Sequence, residues 1–164
     1  MRKFKSPYSK PTLLATCFLL IVLSFAIYII ISQMAKIPIN SLNFIGVSAV
    51  LCFILLTLLY SFLSQIRYVY LTKENLIIKK MFGSIIIPRC RILQVQHKKS
   101  LMSDIRLWGI SGLFGHIGLF WNKGIGKYSV FVKDGNSMLE IKTEEKCYVI
   151  SCDDYAQVLK LLND

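Results

Sequence analysis

The sequence predicts a two-helix transmembrane hairpin followed by an all-β barrel or sandwich of about seven antiparallel strands, capped by a C-terminal α-helix. Two long runs near the amino terminus are apolar and contain no charged residue. The chain then changes to short runs in which apolar and polar residues alternate, as they do in β-strands. Close to the carboxyl terminus the apolar residues return to helical spacing.

The two apolar runs, residues 13–34 and 44–65, are predicted to be transmembrane helices. A helix needs about 20 apolar residues to cross a hydrocarbon core of roughly 30 Å, and both runs are long enough. A buried core helix is usually shorter and interrupted by polar residues. A signal peptide is disfavoured for the first run because no cleavage site of small residues follows it.

The charges around these runs predict their orientation. The link at residues 35–43 is short, so the helices are expected to be antiparallel neighbours, and Lys36 is its one charged residue. The tail at residues 1–12 is basic, and basic residues also follow the second helix. By the positive-inside rule both termini, and the domain at residues 66–164, are expected in the cytoplasm.

The net charge of +11 is concentrated in the tail and in the first part of the predicted β domain. This basic excess either continues the positive-inside bias or binds anionic lipid headgroups, each charge contributing about 1 kcal/mol near the membrane. We expect two β-strands to bring the basic side chains of the domain to one rim. The candidate binding residues are Lys79, Lys80, Arg89, Arg91, Lys98, Lys99 and Arg106.

Other functions find little support in the sequence. The basic residues occur in pairs without a nucleic-acid-binding motif, so no nucleic-acid partner is expected. The five cysteines form no CxxC pair, and neither His97 nor His116 has ligand spacing, so no metal or cofactor is expected. The carboxylates are scattered and no activated nucleophile is recognisable, so the chain is not expected to be an enzyme.

Seven strands and one helix are predicted beyond the membrane runs. The strands lie at residues 67–72, 76–80, 84–87, 92–98, 127–133, 137–143 and 147–151. Tyr155, Val158, Leu159 and Leu162 then share one face of a helix at residues 153–162. Ser151 and Asp154 have the spacing of a capping box for that helix.

Residues 106–128 are rich in glycine and are predicted to form a long loop with bulges. Six of the nine glycines of the chain lie here. The segment matches neither GxGxxG nor GxxxxGK[ST], which disfavours nucleotide binding. Its aromatic residues either pack inside the domain or form a docking patch, and the candidate interaction residues are Trp108, Phe114, Phe120 and Trp121.

Several loosely spaced positions stand out along most of the chain: Arg106, Gly109, the triplet Gly112-Leu113-Phe114, Gly118 and Tyr128, together with the end at Ile150-Ser151 and its acidic helix start. These positions resemble those of bacterial pleckstrin-homology-like (PH-like) domains. The resemblance implies a strongly bent β sandwich or barrel with one end plugged by the C-terminal helix. Many such proteins carry a two-helix anchor, which implies the inner membrane of a bacterium.

The expected function is therefore that of a non-catalytic module, anchored in the membrane, that presents its β domain at the cytoplasmic face. Its partners would be the lipid bilayer, anionic lipid headgroups or a protein. The alternative is a self-associating structural protein or an accessory subunit of a membrane complex, with the aromatic segment as the contact.

Overall fold

The two apolar runs form long helices in the computed structural model, which describes residues 1–39 and 41–163. Helix α1 spans Lys10–Met34 and helix α2 spans Leu42–Leu63. The hydroxyl groups of Ser9 and Ser41 cap their amino ends by accepting backbone N–H groups. Both helices are long and apolar enough to cross a bilayer. Asn40 of the predicted link, and Asp164 at the end of the predicted domain, lie outside the described residues.

The remaining elements form two sheets and a final helix, which confirms the predicted fold class. One sheet has the order β1-β2-β3-β4 and is antiparallel throughout. Its strands are β1 (Arg2–Lys5), β2 (Ile66–Leu71), β3 (Asn75–Lys80) and β4 (Ser84–Pro88). A short 3-10 turn at Arg89–Arg91 leads to the second sheet.

The second sheet has the order β5-β9-β10-β8-β7-β6, with β8 and β10 parallel and its other neighbours antiparallel. Its strands are β5 (Ile92–His97), β6 (Ile105–Ser111), β7 (His116–Asn122), β8 (Gly126–Val132), β9 (Met138–Thr143) and β10 (Cys147–Ser151). Helix α3 (Tyr155–Asn163) packs against β5 and β9.

The core lies between the sheets and under α3. Alternate residues of β2 and β3, such as Val69 and Ile78, are fully buried there, as the period-2 pattern predicts. Val158 of α3 joins the same cluster, and Tyr155, Leu159 and Leu162 pack on it. The predicted apolar face of the C-terminal helix is therefore confirmed.

The amino-terminal tail is part of the sheet, although no strand was predicted there from the sequence. Strand β1 pairs with β2 so that Phe4 lies opposite Val69, and Phe4 is buried in the core. The segment that follows is also fixed, since the hydroxyl groups of Ser6 and Ser151 lie 3.0 Å apart. The domain is therefore built from residues on both sides of the helical hairpin.

The loop predicted for residues 106–128 is wrong, because these residues form the β6–β7 hairpin and the start of β8. Gly109 lies directly opposite Gly118, and both have positive φ angles, 113° and 143°. A Cβ atom at Gly118 would be 2.1 Å from the carbonyl oxygen of Trp108. The glycines therefore allow two strands to approach each other more closely than side chains would permit. With β1, β6 and β7 added to the seven predicted strands, residues 1–39 and 41–163 contain ten strands.

The capping box predicted for the last helix is also wrong. Ser151 ends β10, and its Oγ accepts a hydrogen bond from Lys133 N at 2.9 Å. Asp154 caps the helix instead, since its Oδ1 accepts from Gln157 N at 3.2 Å. The side chain of Asp153 accepts from Lys5 N at 3.1 Å and so ties β1 to the helix start.

Candidate functional site

An open cavity of about 560 Å³ lies between the segment that links β5 to β6, the β6–β7 hairpin and the turn before β9. Polar and basic side chains line much of it, including Lys99, Arg106, Ser111, His116 and Asn136. Phe120 and Met138 close its floor. The cavity therefore combines an apolar base with hydrogen-bond donors around its opening.

A buried polar network, centred on the Asp104 carboxylate, forms one wall of the cavity. Lys98 Nζ lies 2.9 Å from Asp104 Oδ2 and 3.7 Å from Glu140 Oε2. The side chains of Tyr128 and Asn122 also donate hydrogen bonds to Asp104. We call these five residues the Asp104 network; it holds the β5–β6 segment against the sheet.

The pKa values of this network follow from its burial and its hydrogen bonds. Burial alone would raise the pKa of Asp104, but hydrogen bonds from Tyr128, Lys98 and Asn122 and the charge of Lys98 outweigh it, so the pKa is lowered. Burial and the Asp104 carboxylate raise the pKa of Tyr128. Lys98 and Asp104 therefore form a charged pair, with Tyr128 a neutral donor.

The positive charge of the cavity comes from Lys99 and Arg106. Both are exposed, and no salt bridge among the residues described involves either of them. Burial and the nearby Arg106 charge lower the pKa of His116, and Ser111 Oγ hydrogen-bonds to His116 Nδ1. At neutral pH the cavity therefore presents two cations, a neutral imidazole and several neutral donors.

The other four basic candidates lie elsewhere. Lys79 and Lys80 end β3 where the chain leaves α2, since the amides of Met81 and Phe82 bond to the carbonyls of Gln65 and Leu63. Arg89 is at the opposite end of the β3–β4 hairpin and donates to Leu161 O. Arg91 pairs with Glu145 at 2.9 Å on an exposed surface.

The basic candidates are therefore divided among three places: the end of β3, the 3-10 turn at Arg89–Arg91, and the cavity with its wall. Of the seven, Lys98, Lys99 and Arg106 belong to the cavity or its wall. Because Lys98 is paired with Asp104 and Glu140, Lys99 and Arg106 are the basic candidates in the cavity that can bind a ligand.

The four aromatic candidates also separate. Phe120 is 3% exposed and packs near Tyr128 inside the domain. Phe114, at the hairpin turn, packs edge-to-face on Phe62 of α2, with ring centres 5.8 Å apart. Trp108 is 72% exposed and Trp121 37%. Trp108 is thus the most exposed aromatic residue of the four.

The β6–β7 turn is hydrogen-bonded to the first helix. Thr16 Oγ1 accepts from Phe114 N at 3.0 Å and lies 3.3 Å from Gly112 O. Ser111 and His116, which flank this turn, line the cavity. The cavity is therefore next to the helical hairpin, at the height of the second turn of α1.

Sequence reasoning missed the cavity residues His116, Ser111 and Asn136, as well as Thr16. The one available signal for Thr16 was a hydroxyl group in an apolar run, and Ser24 and Ser32 of the same run share it. The other three become neighbours only through strand pairing, since Ser111 lies opposite His116 across the β6–β7 ladder.

The buried cysteines of the domain are poor nucleophiles, because their thiols remain protonated at neutral pH. Burial raises the pKa of the Cys147 thiol to about 12, and that of the Cys152 thiol, which is also buried, to about 12. In the part of the chain that the structure describes, no group of three or more His, Cys, Asp or Glu side chains could hold a metal ion.

Two β-sheets packed face to face with a C-terminal helix against them define the class of PH-like domains. The model of the bacterial PH domain family matches residues 67–164, and the chain belongs to this family. Neither curated proteins nor solved structures yield a match. PH-like domains are generally non-catalytic binding modules, which indicates a binding or scaffold role.

Proposed function

We propose that the chain is a membrane-anchored binding module that holds its bacterial PH domain at the cytoplasmic face of the bacterial inner membrane and binds anionic lipid headgroups there. The observation that carries this proposal is the cavity beside α1, with Arg106 and Lys99 free of salt bridges among the described residues.

The exposed surfaces of α1 and α2 support the anchoring. Thr16 and Ser61 are the buried residues of the two helices, and large apolar side chains such as Phe18, Phe25 and Phe53 are at least 66% exposed. In water such a surface would be strongly unfavourable, whereas in a bilayer it is the expected one.

The pairing of β1 with β2 supports the hairpin topology. Strand β1 precedes α1 and β2 follows α2, and their backbones are hydrogen-bonded in register from Arg2 to Lys5. Both ends of the hairpin must therefore lie on the same side of a membrane that it crosses. The positive-inside rule then favours the cytoplasmic side, because Lys36 is the one charged residue of the link.

The chemistry of the cavity supports an anionic ligand. An arginine guanidinium can donate two parallel hydrogen bonds to a phosphate, and a lysine adds a point charge. Ser111 and Asn136 can donate further hydrogen bonds. Because the cavity adjoins the helix turns where a headgroup layer would lie, a phospholipid headgroup is the ligand favoured over a soluble anion.

The test compares two double variants of equal charge in the full-length protein. K99Q/R106Q removes the cations of the cavity, and R91Q/K146Q removes two exposed cations of the Arg91–Glu145 region. The protein is released from nanodiscs of mixed phosphatidylglycerol and phosphatidylcholine. Native mass spectrometry then counts the lipids of each kind that remain bound to it.

We expect the wild type and R91Q/K146Q to retain phosphatidylglycerol preferentially. K99Q/R106Q should lower this preference by roughly thirtyfold, since it removes two charges worth about 1 kcal/mol each. Equal retention by the two double variants would refute the proposed site. A co-purifying protein or a stable oligomer, with no lipid preference in the wild type, would instead favour the accessory-subunit alternative.

A further inference from the structure

The face of the β6–β7 hairpin opposite the cavity forms an apolar cleft with helix α2. The cleft has a volume of about 490 Å³. Phe53, Leu56, Thr57 and Tyr60 line it from α2, and Trp108 and Ile110 line it from β6. The α2 residues follow one another at helical spacing and so form one face of the helix.

This cleft lies beside a part of α2 that must be in the membrane if the helix spans it. Tyr60 is one turn from the end of α2 at Leu63, and Phe53 is about 15 Å from that end at 1.5 Å per residue. The side chains of Trp108 and Leu107 are exposed, and the hairpin from Leu107 to Trp121 contains no ionisable side chain other than His116. The hairpin therefore continues the apolar surface of α2.

Resting on the proposed anchoring, we propose that the β6–β7 hairpin is itself inserted into the cytoplasmic leaflet, with phospholipid acyl chains in the cleft and against Trp108. Continuity with the exposed α2 face identifies the occupant, because lipid already surrounds the helix on that side. The hydrogen bond from Phe114 N to Thr16 Oγ1 and the contact of Phe114 with Phe62 hold the hairpin at this depth.

Backbone chemistry limits how deep the hairpin lies. Strand β6 is at the edge of its sheet, so one row of its N–H and C=O groups has no strand partner. Such groups are costly in the centre of the hydrocarbon core, whereas tryptophan is favoured at the membrane interface. Trp108 is therefore expected near the first carbons of the acyl chains, not near the bilayer centre.

The chain contains two tryptophans, which makes the depth measurable. Trp121 pairs with Lys127 of β8 on one side and with Ile105 of β6 on the other. Ile105 is about 10 Å from Trp108 along β6, so the two tryptophans lie at different positions along the hairpin. W121F therefore reports on Trp108 and W108F on Trp121. Both variants are reconstituted at full length into phosphatidylcholine vesicles brominated at carbons 6 and 7 or at carbons 11 and 12, and fluorescence is compared with unbrominated vesicles.

In W121F we expect about twofold quenching by the 6,7-dibromo lipid and less by the 11,12-dibromo lipid, as for an interfacial tryptophan. In W108F quenching should be clearly weaker with both lipids. Equal, weak quenching in the two variants would overturn the proposal. So would an unquenched Trp108 that crosslinks to a second copy, which would make the cleft a contact between protein chains.

Alkaline carbonate extraction separates this inference from the proposed anchoring. Protein that resists extraction but leaves Trp108 unquenched would overturn hairpin insertion alone. Protein that is extracted would overturn both proposals.

Discussion

At the scale of single residues, the Asp104 carboxylate determines whether the wall of the cavity is in place. Its side chain is completely buried, and three side chains donate hydrogen bonds to it, one of them the charged Lys98. Lys98 in turn lies near Glu140, which also accepts from Gln96 at 2.8 Å. A buried charge is stable only with such partners. Removing a member of this network is therefore expected to destabilise the fold more than removing a member of a surface ion pair would.

The variant D104N should destabilise the protein at pH 7 by roughly 2 to 3 kcal/mol, because the charge-assisted hydrogen bonds are lost. The pKa of Asp104 is lowered in the folded protein, so the carboxylate contributes stability above its ordinary pKa. That contribution is lost as the pH falls through the lowered pKa. The difference between D104N and the wild type should therefore shrink below about pH 4.

Urea unfolding in detergent at several pH values measures this difference. E145Q is the matched control, since Glu145 forms an exposed pair with Arg91 and its loss should cost less than about 1 kcal/mol. A D104N deficit that stays constant from neutral to acid pH would contradict the assignment of the charge to Asp104.

At the scale of elements, one hydroxyl group joins the β6–β7 turn of the domain to helix α1. Thr16 is buried, and its Oγ1 donates to the carbonyl of Thr12 or Gly112 while it accepts from Phe114 N. Valine has the same shape but no hydroxyl group, so T16V would leave the amide of Phe114 without this partner.

T16V should make the amide of Phe114 exchange with solvent about tenfold faster, the effect of losing one hydrogen bond of about 1.4 kcal/mol. Hydrogen exchange of the full-length protein in detergent measures this. The control is S24A, because the exposed Ser24 hydroxyl bonds within its own helix, to Leu20 O. Unchanged protection in T16V would mean that the turn is not held by α1.

Elements with strong periodicity were predictable from the sequence, and those determined by pairing were not. Strands β2, β3, β9 and β10 alternate regularly, and the structure places them within one or two residues of the predicted bounds. Strand β1 has only four residues, three of them basic, and depends on β2 for its pairing. The β6–β7 hairpin was not predictable because its glycines indicate turns, and only the ladder shows that Gly109 and Gly118 face each other.

The candidate site was predictable only in part for the same reason. Arg106 and Lys99 are basic residues in a basic segment, which the sequence shows directly. Their proximity to His116 and Asn136 depends on the order of the strands in the second sheet, which periodicity does not reveal. The sequence also suggests one basic surface, whereas the strand connections place Arg89 at the other end of the β3–β4 hairpin from Lys79.

At the scale of the whole molecule, the helical hairpin is inserted into the β domain and does not simply precede it. Residues before α1 supply strand β1, the buried Phe4 and the bond from Ser9 N to Lys133 O. The side chain of Tyr8 also donates a hydrogen bond to Gln65, so the two ends of the hairpin are close together. The bacterial PH domain match starts at Arg67 and so leaves out one strand of the sheet.

This arrangement predicts that a β domain without the two helices needs the residues before α1 for its full stability. A fragment of residues 64–164 lacks β1 and should be less stable, by roughly 3 kcal/mol or more, than a chain in which residues 1–9 are joined to residue 64 by a short Gly/Ser linker. The reason is that Phe4 fills part of the core and β1 covers the edge of β2.

The melting temperatures of the fragment and of the joined chain should differ by about 10 °C or more. The substitution F4D in the joined chain is the control, because it keeps the added residues and the linker but puts a carboxylate at a buried apolar position. It should return the melting temperature to that of the fragment or lower it further. Equal melting temperatures for the fragment and the joined chain would show that β1 is not needed, and that the domain is complete without the residues before the hairpin.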